Sequence, residues 1–294
     1  MLFRLLAEKM FGKLLSRPDI EKAYKMVDPE DSWYNTIKKV HDSLSEIQKL
    51  PHKALQITSH DGLNLQGVYY PAAEKSDRTV ICIHGFGSHA EREWAFPGLF
   101  YHSLGFNVLI PYQRAHGPSE GKKITFGIYE AQDMYRWINL INDLTPNGKI
   151  LLHGLSMGGG IALQMSATDM TGVRGIIADA PSEGLDYFYT RVSKEIFKGL
   201  GRFIGNAAIE DFKTQTGLDP RDYNAKKIVK NSKYPILLSA GSMEKLEDYF
   251  GELASLNPCK TEIIILDGCN HGNGMYKQTE LYQGKIKEFI YSYM

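Results

Sequence analysis

The sequence predicts an α/β protein: a mostly parallel sheet with helices on both faces, a helical insertion late in the chain and a helical segment before the first strand. Three observations carry this reading. From Thr79 onward, short apolar runs alternate with amphipathic stretches, a rhythm that parallel strands joined by crossover helices produce. The strands within it are apolar throughout, as strands covered on both faces must be. At the centre lies Gly154-Leu155-Ser156-Met157-Gly158, between the apolar run Lys149–Leu152 and a small-residue helix start, Gly159–Ala167.

At 294 residues the chain can hold one large core with an insertion. Hydrophobic residues make up 43% and charged residues 23%, ordinary for a globular protein. Lysine plus arginine equals aspartate plus glutamate at 34 each, so no nucleic-acid partner is indicated. Three cysteines, Cys82, Cys259 and Cys269, form no C-x-x-C pair, and a reducing, cytoplasmic setting is the expectation. No apolar stretch is long enough to span a bilayer.

The first 53 residues read as helical. Leu2, Leu5, Leu6, Met10 and Leu14 fall at helical spacing, and Ser16-Arg17-Pro18 breaks that helix. A helix docked on its own protein is the expected reading of residues 1–16, with attachment to a membrane surface as the alternative. Trp33, Ile37, Val40, Leu44 and Ile47 mark a second helix ending near Pro51. Ala54–Thr58 and Leu63–Tyr70 then alternate around His60-Asp61-Gly62, a hairpin signal. Strands follow at Thr79–Ile83, Asn107–Pro111, Lys149–Leu152, Val173–Ala178, Pro235–Ala240 and Thr261–Leu266. Helices are expected at Trp94–Leu104, Tyr129–Ile141, Lys245–Leu256 and Tyr276–Tyr291. Residues 182–232 carry aromatics and charges without a strand signal and read as a helical insertion. The expected organisation is therefore 1–53 as an N-terminal extension, 54–181 with 233–294 as the core, and 182–232 as a cap.

A G-x-S-x-G between strand and helix suggests a nucleophile elbow, whose serine is held in a strained conformation with its hydroxyl clear of the sheet. Glycine at 154 and 158 suits so tight a turn. A serine hydroxyl needs a base, and His271 in Asp267-Gly268-Cys269-Asn270-His271-Gly272-Asn273-Gly274, after the last strand, is the candidate. A carboxylate must orient that imidazole. Glu244, after the preceding strand, is the choice, with Glu247, Asp248 and Asp179 as rivals. A tetrahedral oxyanion needs two preset amide donors, expected at Met157 and at Phe86 in His84-Gly85-Phe86-Gly87-Ser88.

Together these stretches resemble the α/β-hydrolase-fold serine hydrolases of the esterase and serine-aminopeptidase-like branch. The resemblance rests on His84-Gly85-Phe86-Gly87, Arg114-Ala115-His116-Gly117-Pro118-Ser119-Glu120-Gly121, Phe126-Gly127 with Glu130, Asp133 and Trp137, the Ser156 elbow, and His271-Gly272. It covers about residues 54–294 and implies an eight-stranded sheet, metal-free acyl transfer, and the chain order Ser156, acid, His271. Relatives usually carry aspartate as the acid; here the corresponding position is Glu244. Alanine at 115 also replaces the more usual glycine, and that turn, with His116, reads as structural.

The expected activity is cleavage of carboxylic esters of small or medium acyl groups, aromatic ones such as hydroxycinnamates among them, through an acyl-enzyme on Ser156. A peptidase or amidase, and a non-catalytic binding protein of the same fold, are the alternatives. Phe86, His84, Tyr187 and Phe188 are the expected pocket residues. Tyr189, Phe197 and Phe203 join Tyr187 and Phe188 as cap aromatics divided between packing and lining. No cofactor is expected: H-E-x-x-H and paired-cysteine motifs are missing, and Gly158-Gly159-Gly160 lacks the Lys-Ser/Thr of a P-loop.

Overall fold

Apolar alternation becomes eight strands in one sheet, seen in a computed structural model that describes residues 2–294. Met1, the first residue of the expected amphipathic stretch, lies outside the described residues. In chain order the strands are β1 (Lys53–Thr58), β2 (Asn64–Tyr70), β3 (Arg78–Ile83), β4 (Asn107–Pro111), β5 (Lys149–Leu155), β6 (Val173–Asp179), β7 (Ile236–Gly241) and β8 (Thr261–Leu266). They lie in the order β1-β2-β4-β3-β5-β6-β7-β8. Only β2 runs against its neighbours; every pairing from β4 to β8 is parallel. The central strands β3, β4, β5 and β7 are buried along almost their whole length, while β8, with one free edge, alternates.

The helices are α1 (Leu2–Leu14), α2 (Tyr34–Ile47), α3 (Ala90–Ser103), α4 (Ile128–Leu144), α5 (Met157–Met165), α6 (Leu185–Phe197), α7 (Gly201–Thr216), α8 (Ala225–Val229), α9 (Glu247–Leu256), α10 (Gly274–Lys277) and α11 (Thr279–Tyr293). One apolar layer, around Trp137, Ile161 and Leu163, packs α1, α4, α5 and the α6–α8 segment on one face of the sheet. A second, around Trp94, Phe106 and Phe289, packs α2, α3 and α11 on the other.

Several boundaries differ from expectation for local reasons. α3 begins at Ala90 rather than near Trp94, because the His89 ring accepts the Arg92 amide at 3.4 Å and caps the helix early. α9 begins at Glu247, since a short 3₁₀ turn at Ser242–Glu244 and the left-handed Lys245 (φ 56°) come first. The closing helix breaks at Gln278, leaving α10 as a separate turn. β5 continues to Leu155 and α5 starts at Met157, so one residue, Ser156, makes the whole turn between them.

The chain's start is tied down at many points. Phe11 is buried and meets the Tyr189 ring edge-on at 4.6 Å, Phe3 stacks on Phe203 at 5.6 Å, and Arg4 pairs with Asp211 at 2.7 Å. After α1, Ser16 bridges to Lys123, and the Arg17 guanidinium donates to the carbonyls of Ser119 (2.8 Å) and Gly117. Leu2 and Leu5 stay exposed.

Arg114 is the polar tie of this half of the molecule. Its guanidinium donates to both carboxylate oxygens of the fully buried Asp133 (2.7 and 2.8 Å) and to both of Asp61 (3.0 and 3.1 Å). It thereby joins the β1–β2 hairpin to α4. Removing it would leave Asp133 charged, buried and alone, a situation that costs about 3–5 kcal/mol. Arg114→Met is therefore expected to lose about that much in urea-unfolding stability. Asp61→Ala, at a half-exposed carboxylate, should lose about 1 kcal/mol or less.

Candidate active site

The order of the sheet reverses between β3 and β5: the chain leaves β3 toward β4 on one side and builds β6 to β8 on the other. The loops after two such strands diverge and open a crevice at their carboxyl ends. Ile83 stands opposite Gly154 in the parallel register, so the 84–88 loop and Ser156 leave the sheet side by side.

Ser156 has φ 57° and ψ −114°, a left-handed conformation that costs energy in a non-glycine residue. Its backbone is pinned on both sides: its amide donates to Asp179 O at 2.8 Å, and its carbonyl accepts from Gly160 and Ser182, each at 3.0 Å. A Cβ on Gly158 would stand 1.9 Å from the Ile83 carbonyl oxygen, and one on Gly154 would stand 2.1 Å from the Gly158 carbonyl oxygen. Those glycines therefore permit the turn that the sequence led one to expect. Gly85 faces the serine directly, with room for a Cβ only 3.5 Å from Ser156 Cβ.

His271 and Glu244 come from different loops that are bonded into one unit. Met243 N donates to Cys269 O at 3.1 Å, Gly268 N to Ser242 Oγ at 3.0 Å, and Ser242 Oγ to Asp267 at 3.3 Å. One oxygen of Glu244 accepts the Gly241 amide at 3.0 Å, which fixes the carboxylate, and the other meets His271 Nδ1 at 2.5 Å. In this turn Lys245 is in the left-handed region and Met243 is exposed. The hydrogen bond from His271 to Glu244 raises the imidazole pKa, against an opposing effect of burial. Gly272 then packs against Leu155, beside the serine.

Among the described residues no rival carboxylate is bonded to His271. Asp179 is buried and accepts from Tyr282 Oη at 2.8 Å; desolvation pushes its pKa up to about 6. Tyr282 in turn meets His153 Nε2 at 3.1 Å, and His153 Nδ1 meets Tyr101 Oη at 2.8 Å. With Tyr282 donating to Asp179, this chain is satisfied by a neutral His153 protonated at Nε2, and burial lowers the His153 pKa to about 3. Glu247 and Asp248 open α9.

The amides of Met157 and Phe86 have no hydrogen-bond partner among the described residues. Met157 opens a helix, where such donors are unpaired by construction. Phe86 lies between two clamped neighbours. Gly85 N donates to Glu93 Oε1 at 2.9 Å, and Gly87 N donates to His116 Nε2 at 3.0 Å. His116 can accept there because its Nδ1 faces the Arg114 carbonyl at 3.0 Å and carries the proton. Tyr24, from the N-terminal segment, donates to the other oxygen of Glu93 at 3.1 Å.

Two expected pocket residues are placed otherwise. His84 is fully buried: its Nδ1–H faces Gly85 O at 2.8 Å, its Nε2 accepts Gln113 N at 3.0 Å, and its ring abuts His116. It braces the loop from within the core, where a residue in the middle of an apolar strand end has no path to solvent. Tyr187 is exposed, with Arg191 over its ring. Phe188 points inward, stacking on Phe126 at 4.4 Å and leaning on Phe86 at 6.4 Å. Among the described residues no cluster of His, Cys, Asp or Glu is arranged to hold a metal ion.

A sequence profile described as alpha/beta hydrolase fold matches residues 78–227, half of the chain. The chain belongs to that family. Within curated proteins it is 33% identical over 143 residues to Bacillus subtilis "Uncharacterized protein YqkD", a match covering 48% of this chain and 46% of that protein, so the chain spans about half of the relative. Among solved structures it is similar to the Pyrococcus furiosus esterase Pf2001, with TM-score 0.66, 22% identity, and coverage of 95% of this chain and 98% of the other. It is also similar to Est1E of Butyrivibrio proteoclasticus, solved with ferulic acid bound, with TM-score 0.62, 17% identity, and coverage of 81% and 98%. At these identities the likeness is one of fold.

Glu93 is the residue near this hydrolase-fold site that the sequence reading did not single out. Its signal was an ionisable side chain on the buried stripe of α3 shared by Ala90, Pro97 and Tyr101. Desolvation raises its pKa from 4.5 to about 7. A carboxyl raised by folding binds its proton more tightly in the native state, so its favourable contribution is complete below pH 4.5 and is lost as pH rises toward 7. The expected loss is about 3 kcal/mol over that interval. Glu93→Gln should flatten that part of the stability–pH curve, measured by urea unfolding at a series of pH values.

Proposed function

We propose that the protein is a serine hydrolase that cleaves carboxylic esters of small or medium acyl groups, with aromatic acyl groups among them. The observation that carries the reading is the His271–Glu244 pair, 2.5 Å apart, on mutually bonded loops that reach Leu155, the residue before a strained serine. In this mechanism Ser156 Oγ attacks the ester carbonyl and passes its proton to His271 Nε2. The oxyanion takes the free amides of Met157 and Phe86, and Glu244 stabilises the imidazolium through Nδ1–H. His271 then protonates the leaving alcohol, and the acyl group remains on Ser156. Water attacks that acyl-enzyme with His271 again as base, releasing the acid and restoring the serine.

Two features support the ester assignment over a peptide one. The side chains flanking the proposed oxyanion loop are Phe86, Phe126 and Phe188, an apolar surface suited to an acyl group. The solved structures that it resembles include three of one esterase and a protein holding ferulic acid, an aromatic acid, beside one acylaminoacyl peptidase.

A fluorophosphonate should label the protein, and Ser156→Ala should abolish both labelling and ester turnover, the latter by several orders of magnitude. Retention of more than a few per cent of turnover would remove Ser156 from the reaction. Faster cleavage of aminoacyl arylamides than of esters would assign the chain to the peptidases instead.

Since Glu244 raises the His271 pKa, the acid limb of kcat/KM should lie above pH 6.5, activity being present above it and lost as pH falls. Glu244→Gln should lower kcat by about a thousandfold or more and move that limb to lower pH. A limb that stays in place in the variant would separate Glu244 from the base.

A further inference from the structure

Between α1, the segment 114–129 and α7 lies a half-open chamber of about 940 Å³, near the upper end of the range for small-molecule sites. It does not include Ser156 or His271. Its outer wall is α1, which lies outside the residues that match the family profile. Its apolar lining comes from Phe11, Leu15, Leu63, Tyr189 and Phe212.

The polar groups of the lining are largely engaged by the protein itself. Arg114 spends its donors on Asp61 and Asp133, and Glu120 accepts the Asn64 amide at 2.8 Å. Asp211 binds Arg4 and Gln215, and Lys123 donates to Gln215 at 2.8 Å. Glu8 and Lys122 are exposed. A ligand held inside would therefore gain chiefly by burying apolar surface.

A chain of touching rings runs from the chamber wall to the proposed oxyanion loop. Phe11, on the chamber wall, meets Phe188 edge-on at 6.2 Å; Phe188 stacks on Phe126 at 4.4 Å, and Phe126 on Phe86 at 5.4 Å. Phe86 follows Gly85, the residue facing Ser156. These rings meet one another through apolar faces and edges alone.

We propose that this chamber receives the apolar chain of a longer acyl ester whose carbonyl lies at Ser156, with Phe188 as the partition and α1 as the outer wall. The assignment rests on the esterase reading and extends it to long, unbranched acyl groups. It also gives the N-terminal segment a role in substrate choice.

Gly12 offers a clean test. It lines the chamber at its exposed rim, and a Cβ there would meet nothing within 4 Å, so a large side chain is accepted without a backbone clash on a helix that prefers any such residue to glycine. In the full chain, the ratio of kcat/KM for a decanoyl ester to that for an acetyl ester should fall by about tenfold or more in Gly12→Trp, the value of a few buried methylenes. In Phe188→Ala, which thins the partition, the same ratio should rise. Binding is measured separately in Ser156→Ala, where the neutral fluorophore N-phenyl-1-naphthylamine should bind, be displaced by decanoic acid, and lose affinity about tenfold when Gly12→Trp is added. An acyl-length ratio unmoved by Gly12→Trp overturns the proposal, even if the fluorophore binds. Fluorophore binding that is lost in Gly12→Trp, with no ester cleaved by the wild-type chain, supports the chamber as an apolar site and overturns the esterase reading alone.

Discussion

The backbone of residue 158 lies so close to the carbonyl of Ile83 that no side chain fits between them, and the same holds for residue 154 against residue 158. This contact lets α5 start one residue after β5 ends and sets the serine between them in the left-handed region. Everything around the candidate site is arranged on that turn. The strain at Ser156 persists because three backbone hydrogen bonds, to Asp179, Gly160 and Ser182, over-determine it. The switch in strand order at β3 and β5 then decides which loop faces the serine, and that loop begins at His84.

Around the turn, rigidity comes from polar groups that the protein satisfies internally. Glu93 and His116 hold the amides on either side of Phe86, and Tyr24 holds Glu93. On the opposite side, the loops after β7 and β8 bond to one another before they present Glu244 and His271. Both sets of bonds are made within the chain. In the proposed reaction the donors would thus stand ready before an oxyanion forms, which is where a preorganised site gains over water.

The N-terminal segment is part of the same frame. Arg17 binds the carbonyls of the 117–121 turn, which carries His116 close by, and Tyr24 reaches the buried carboxyl of Glu93 under the 84–88 loop. α1 continues across the molecule onto α6 and α7, where Phe11 meets Tyr189 of α6 and Phe3 and Arg4 meet Phe203 and Asp211 of α7. α1 and the α6–α8 segment thereby pack together on one face of the sheet.

The sequence by itself determined the architecture and its centre, because both depend on local or periodic signals. Apolar runs with turn residues between them marked every strand, and the G-x-S-x-G spacing located the elbow, since only glycine tolerates such backbone contact. Chain order after the last two strands pointed to Glu244 and His271, as loops at one sheet edge share a site whatever their separation in sequence. Only the tertiary structure decided what depends on distance and burial. The sequence ranked Asp179 below Glu244 as the acid without giving the partner of either; Asp179 is bonded to Tyr282 in the core and Glu244 to His271. His84 read as a pocket residue and is sealed behind Gln113, and of the neighbours Tyr187 and Phe188 only the second turns toward Phe86. The partners of Glu93, the docking of α1 on α7 and the chamber beneath it arise from residues far apart in the chain. No periodicity encodes such meetings; they follow from how the packed layers close.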